Sequence, residues 1–198
     1  MSENEEQAIA VGSIDPETEF KHAEALRQSI PPDFGEAVLH YTRAANCGHA
    51  EAQNALGTIC LNGLGRAPDP EEAVRWYRKA ASQGEPTALY NLATRYRTGE
   101  GVTADLTECV ALLTLAAERG CTDAIADLGV CFRFGHGVQP DLLQATELFL
   151  LAAEDGDVTA LANVLDLKDE LQLIATADDV RAFKLTERLR VLESIYDC

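Results

Sequence analysis

Between residues 52 and 61, apolar or small side chains fall at Ala52, Ala55, Leu56, Ile59 and Cys60, with polar residues between them. This i, i+3, i+4, i+7 spacing marks an amphipathic helix and not a strand, whose period would be two. A second stretch with Ala73, Val74, Trp76, Tyr77, Ala80 and Ala81 keeps the helical period and stops at Gly84. Between them lie Gly63 and Gly65, free to take positive φ, then Pro68 and Pro70, which cannot continue the first helix, and Asp69, whose carboxylate can cap the second. The pattern predicts a pair of antiparallel helices, A then B, joined by a tight turn.

The same pair recurs at steps of 36 residues. Leu56, Leu92 and Leu128 align, as do Ala73, Cys109 and Ala145, the pairs Ala80-Ala81, Ala116-Ala117 and Ala152-Ala153, and Gly84, Gly120 and Gly156. The turns align as Gly63-Leu64-Gly65, Gly99-Glu100-Gly101 and Gly135-His136-Gly137, followed by Asp69, Asp105 and Asp141. A repeat of this size makes each unit one supersecondary element that buries its apolar face only by stacking on neighbours. Helix pairs are expected to begin near residues 16, 52, 88, 124 and 160, with B helices opening near Pro70, Leu106 and Leu142.

Written as A-x-x-x-L-G-x-x-aromatic-x-x-G-x-G-V-x-x-D, with the later alanine pair and glycine, the unit resembles the Sel-1-like repeat family, a branch of the tetratricopeptide-like helical repeats. The tetratricopeptide unit has about 34 residues; the longer glycine turn points to the Sel-1-like branch. The expected fold is all-α, a right-handed α-solenoid of antiparallel helix pairs. Its expected organisation is an acidic, disordered arm over 1–14 and a single repeat domain over 15–198. That domain comprises a degenerate first unit (15–51), full repeats at 52–87, 88–123 and 124–159, and a C-terminal cap (160–198).

The end units depart from the pattern. Asp15-Pro16 opens a helix with Phe20, Ala23 and Leu26 on one stripe, but its turn, Ser29-Ile30-Pro31-Pro32-Asp33, has neither glycine. Its second helix fits the repeat through Ala37, Tyr41, Ala44, Ala45 and Gly48. After Ala160, Leu161 and Val164 mark an A helix, Leu165 replaces a small residue, and Leu171 and Leu173 stand where glycines belong. Asp178-Asp179 then precede a helix through about Ser194, with Val180, Phe183, Leu189 and Leu192 as its apolar side and Arg181, Lys184, Arg188 and Arg190 around it. This helix reads as a polar-faced cap or as a docking or dimerising element.

The resemblance implies a partner-binding groove lined by the A helices. Its inward positions would be Asn54, Thr58, Leu61 and Asn62, then Tyr90, Thr94, Arg97 and Thr98, then Ala126, Val130, Arg133 and Phe134. The degraded fifth unit would add Ala162, Asp166, Asp169 and Glu170. Arg97 and Arg133 stand at the same inward position, and 124–159 contain six acids but Arg133 as their one base. Such arginines could take a carboxylate of a partner segment, or pair internally with Asp127 or Glu100.

The net charge of −17 argues against nucleic-acid backbones and anionic membranes as partners. No run reaches the roughly 18 apolar residues of a membrane span, and the acidic N-terminus lacks the features of a secretory leader, so a cytoplasmic protein is expected. The 46% hydrophobic content, rich in alanine, suits close-packed helices. Cys47, Cys60, Cys109, Cys121, Cys131 and Cys198 do not recur at one repeat position. They read as reduced thiols, Cys60 and Cys109 as small core residues.

Little points to catalysis. The Gly-x-Gly turns follow a helix and lack a third glycine, against phosphate or cofactor binding. His40, Cys47 and His49 match no metal spacing, and no nucleophile motif or acid–base pair stands out. The chain is therefore expected to be non-catalytic, without cofactor or metal, and a scaffold or adaptor holding a protein or peptide. The alternative is a specific inhibitor of immunity type that blocks a toxin or hydrolase.

Overall fold

A computed structural model describes residues 15–30, 32–174 and 180–196. The acidic segment 1–14, the pair Asp178-Asp179, and the side chains of Val180 and Leu173 lie outside the described residues. All regular structure among the described residues is helical. The chain divides into two compact units, one running to Ala88 and including Glu100–Val102, the other formed by Leu89–Gly99 and Thr103 onward.

The first unit contains α1 (Pro16–Gln28), α2 (Phe34–Asn46), α3 (Ala50–Asn62) and α4 (Pro70–Ser82). Helix α5 (Pro86–Thr98) belongs to the second unit from Leu89 onward, followed by α6 (Leu106–Glu118), α7 (Thr122–Phe134), α8 (Leu142–Glu154) and α9 (Val158–Asp166). A short α10 (Lys168–Ile174) and α11 (Val180–Tyr196) complete it. The repeated A helices begin two residues before the expected starts, at Ala50, Pro86, Thr122 and Val158; B helices open at Pro70, Leu106 and Leu142 as expected.

Local chemistry sets these boundaries. An aspartate caps each B helix: Asp33 accepts from the backbone N of Glu36 (3.0 Å), Asp69 from Glu72 (2.8 Å), Asp105 from Glu108 (3.1 Å) and Asp141 from Gln144 (2.9 Å). Each such cap contributes about 1 kcal/mol. The A helices of the three full repeats end on left-handed glycines, Gly63 at φ 68°, Gly99 at 76° and Gly135 at 72°. The second turn glycine approaches the start of the preceding B helix: a Cβ on Gly101 would lie 2.2 Å from the Pro70 carbonyl oxygen, and one on Gly137 2.1 Å from that of Leu106.

The first pair keeps a different step. Its turn spans residues 29–33, against 63–69 in the next pair, and is two residues shorter. The Asp33 N–H reaches Leu26 O (3.1 Å), where Asp69 N–H reaches Cys60 O (2.7 Å). Helix α1 thus maps onto α3 by 34 residues, although α2 maps onto α4 by 36.

Packing within a pair depends on paired sizes. A Cβ on Gly57 would meet the Tyr77 ring at 2.5 Å, and one on Gly129 the Phe149 ring at 2.7 Å. At the equivalent positions of the intervening repeat stand Ala93 and the smaller Leu113, both buried. The first unit's core joins Ala23, Tyr41, Ala44, Ala52, Leu56 and Ile59. The second unit's core joins Ile125, Phe149, Leu150 and Val164 to Leu167 and Leu171 of the C-terminal region, and to Leu185, Leu189 and Leu192 of α11.

One C-terminal expectation is corrected here. Phe183 is 59% exposed, and the core face of α11 is carried by Ala182, Leu185, Leu189 and Leu192. Both stripes have helical spacing; contact with α8 selects the second, through Arg181 to Glu147 (2.8 and 2.9 Å) and Arg188 to Glu154 (2.8 Å). The glycine turn is replaced by α10, whose Leu171 is fully buried, so a core side chain occupies the place of a flexible turn.

Candidate protein-binding faces of the A helices

In the first unit, Asn54, Thr58, Leu61 and Asn62 follow one another along α3; Asn62 is exposed and the other three are half-buried. The Thr58 hydroxyl donates back to Asn54 O (3.3 Å) and lies 3.2 Å from the Tyr77 hydroxyl. Thr58 also lines a cavity of about 350 Å³ with Glu24 and Arg27 of α1 and Phe34 and Tyr41 of α2.

Glu24 and Arg27 were not among the residues expected from the sequence. With the 34-residue step, they occupy the inward positions of Thr58 and Leu61; counting back 36 residues from α3 conceals them. The shorter turn was the available signal. Glu24 accepts from Arg27 Nη2 at 2.6 Å and from the buried Tyr41 hydroxyl. Arg27, then the other bonded donors, hold the Glu24 carboxyl below its ordinary range despite partial burial. Burial, then the Glu24 carboxylate, pushes the Tyr41 phenol well above its usual value.

In the second unit, Tyr90, Thr94, Arg97 and Thr98 lie on α5, and Ala126, Val130, Arg133 and Phe134 on α7. Arg97 Nη1 donates to Asp127 Oδ2 at 2.9 Å, the internal pairing that the sequence left open. Ala126 and Val130 pack against the unit's core and offer only part of their surface. Phe134 is 58% exposed, with the Arg133 guanidinium 5.2 Å from its ring centroid and the His136 ring at 5.8 Å.

Arg133 has no carboxylate partner among the described residues. The repeat explains why: the step that carries Arg97 onto Arg133 carries Asp127 onto Asn163, an uncharged amide. In the fifth pair, Ala162 and Asp166 lie on α9, whereas Asp169 and Glu170 fall on the separate α10 and do not continue one face.

Cys60 and Cys109 are buried, as expected of small core residues, and Cys131 is buried with them. Burial pushes the Cys60 and Cys131 thiols up to about 11, so both stay protonated near neutrality. Among the described residues, no group of three or more His, Cys, Asp and Glu is arranged to hold a metal ion, and no helix is long and apolar enough to cross a membrane.

No curated protein matches the chain in sequence. Among solved structures, a protective antigen present in uropathogenic Escherichia coli strains, displaying an SLR fold, matches 96% of the chain at 28% identity and a TM-score of 0.79; the chain spans 41% of its length. A Sel1 repeat protein from Oxalobacter formigenes matches 89% of the chain and 73% of its own length, at 25% identity and a TM-score of 0.74. Cysteine rich protein B from Helicobacter pylori matches 69% of the chain and 98% of its own length, at 19% identity and 0.53, a likeness of fold alone. The Sel1 repeat model matches residues 17–49, 50–85, 86–121 and 122–157, the same helix pairs, turns and caps described above. Those matches cover most of the chain, which therefore belongs to the Sel1 repeat family.

Proposed function

We propose that this chain is a non-catalytic protein-interaction module whose A-helix faces hold an extended segment of a partner protein. In the second unit the segment presents an acidic side chain or a free C-terminal carboxylate to Arg133. The observation that carries this reading is the contrast between two equivalent arginines. Arg97 is neutralised by Asp127, whereas Asn163 stands where the matching carboxylate of Arg133 would be. A guanidinium without an internal partner, beside an exposed phenylalanine and on an acidic chain, is complementary to a carboxylate with an apolar neighbour.

Peptides ending in a free carboxylate, and the same peptides with amidated ends or with Asp and Glu replaced by Asn and Gln, test this by titration calorimetry. Arg133→Ala should weaken binding of the carboxylate peptides by about tenfold to a hundredfold, the loss of a charge-assisted hydrogen bond. Arg97→Ala should weaken it far less, because its charge is already met by Asp127. Equal binding of the carboxylate and amide series, or an Arg97→Ala loss larger than that of Arg133→Ala, contradicts the assignment.

A further inference from the structure

We infer that the first unit carries a subsite for one large apolar side chain of a partner segment, in the cavity between α1 and α3. The cavity, about 350 Å³, is of the size that takes a leucine or phenylalanine side chain with its adjoining backbone. Phe34, Tyr41 and Ile59 line it, with Ala55 and Leu64. Tyr41 and Ile59 are buried core residues, so part of the lining is already in place without a ligand.

The polar groups at the mouth decide what kind of segment fits. Glu24 Oε1 accepts from the Tyr41 hydroxyl and from Arg27 Nε (3.3 Å); Oε2 accepts from Arg27 Nη2 (2.6 Å) and Gln28 Nε2 (3.3 Å). Four donors fill the carboxylate's capacity. Arg27 spends Nε and one Nη2 hydrogen on those bonds and also faces the Tyr41 hydroxyl, which leaves part of its five-donor guanidinium to donate, while the Thr58 hydroxyl donates to Asn54 O and lies 3.2 Å from the Tyr77 hydroxyl.

The mouth therefore offers a donor but no free carboxylate, next to apolar walls. An extended segment complements that arrangement by inserting its side chain and placing a main-chain carbonyl on Arg27. A lysine finds no free carboxylate, and an aspartate meets a guanidinium already neutralised by Glu24, so the occupant is a leucine- or phenylalanine-sized residue. This assignment rests on reading the A-helix faces as docking surfaces, but not on the carboxylate site at Arg133.

The test is an amide NMR titration of the full chain with the N-acetyl N-methylamides of leucine, phenylalanine, alanine and lysine. The leucine and phenylalanine probes should shift the amides of Tyr41, Thr58 and Leu64 saturably, and the alanine and lysine probes should not. Arg27→Gln should lower the leucine probe's affinity on the order of tenfold, and Ala55→Leu, which fills the cavity, should abolish the shifts. Should Ala55→Leu not fold, Arg27→Gln and the alanine probe still decide. An equal response to alanine, or no response to leucine and phenylalanine, overturns the subsite.

Two further results would also overturn it. Cavity shifts that track protein concentration without probe make a second copy the occupant, and shifts on deleting residues 2–14 make the chain's own N-terminal segment the occupant. Failure of these probes while carboxylate peptides still bind through Arg133 removes this subsite alone.

Discussion

The second glycine of each turn provides a test in which two costs can be separated. Gly137 and Gly120 both sit in the left-handed region, at φ 73° and 83°, so an alanine at either position pays the same backbone penalty of about 1 kcal/mol. Their surroundings differ. A Cβ at Gly120 meets nothing within 4 Å, whereas one at Gly137 would lie 2.1 Å from Leu106 O and 2.4 Å from Leu106 C. Carbon and oxygen ordinarily approach no closer than about 3.3 Å, so the turn and the first residue of α6 must separate by roughly 1 Å. Leu106 directly follows the Asp105 cap, whose carboxylate holds the N–H groups of Thr107 (2.9 Å) and Glu108 (3.1 Å), so that displacement strains the cap as well. Overpacking of this kind typically adds about 1–3 kcal/mol. Urea denaturation should therefore show a loss of about 1 kcal/mol for Gly120→Ala and about 2–4 kcal/mol for Gly137→Ala. Gly65, whose added Cβ would stand 3.5 Å from Phe34 Cβ, is the control within the same motif, and Gly65→Ala should behave like Gly120→Ala. A Gly137→Ala variant no less stable than Gly120→Ala would refute the close approach as the reason for this glycine.

Two other predictions follow from the packing and the charges. Gly57→Ala should destabilise by about 1–3 kcal/mol, and Tyr77→Leu in the same chain, recreating the Ala93 and Leu113 combination, should recover part of that loss. A double-mutant cycle showing simple additivity would contradict it. Because Arg27 and the other donors depress the Glu24 pKa in the folded state, its contribution is present above the ordinary carboxylate range and is lost as pH falls through the depressed value. Glu24→Gln should accordingly flatten the decline of melting temperature as pH falls below about 4; an unchanged acid slope argues against that network.

The alternation of A and B helices was legible because its causes are local. Glycines able to adopt positive φ, an aspartate before each B helix and a 3.6-residue apolar period act over a single turn or a single helix. The repeat then multiplied these signals, so Gly63, Gly99 and Gly135 could be equated before any coordinates, and all three occupy the left-handed region. Thr58, one of the inward positions that the resemblance implied, lines the first-unit cavity.

Glu24 and Arg27 escaped because the loss of two turn residues displaces α1 against the 36-residue count; in space, the bonds from Ser29 and Asp33 N–H to Leu26 O show where the helix stops. Phe183 and Leu185 have equal claims to an apolar stripe on α11; the choice between them belongs to α8, whose Glu147 and Glu154 hold the helix in one rotation. The sequence by itself thus determined the helices, their caps and turns and the family, because those depend on neighbours along the chain. Tertiary structure alone decided which side chains face each other across 17 to 34 residues: Tyr41 on Glu24, Arg97 on Asp127 and Arg181 on Glu147. Such pairings depend on helix rotation and register, which a periodic pattern leaves open.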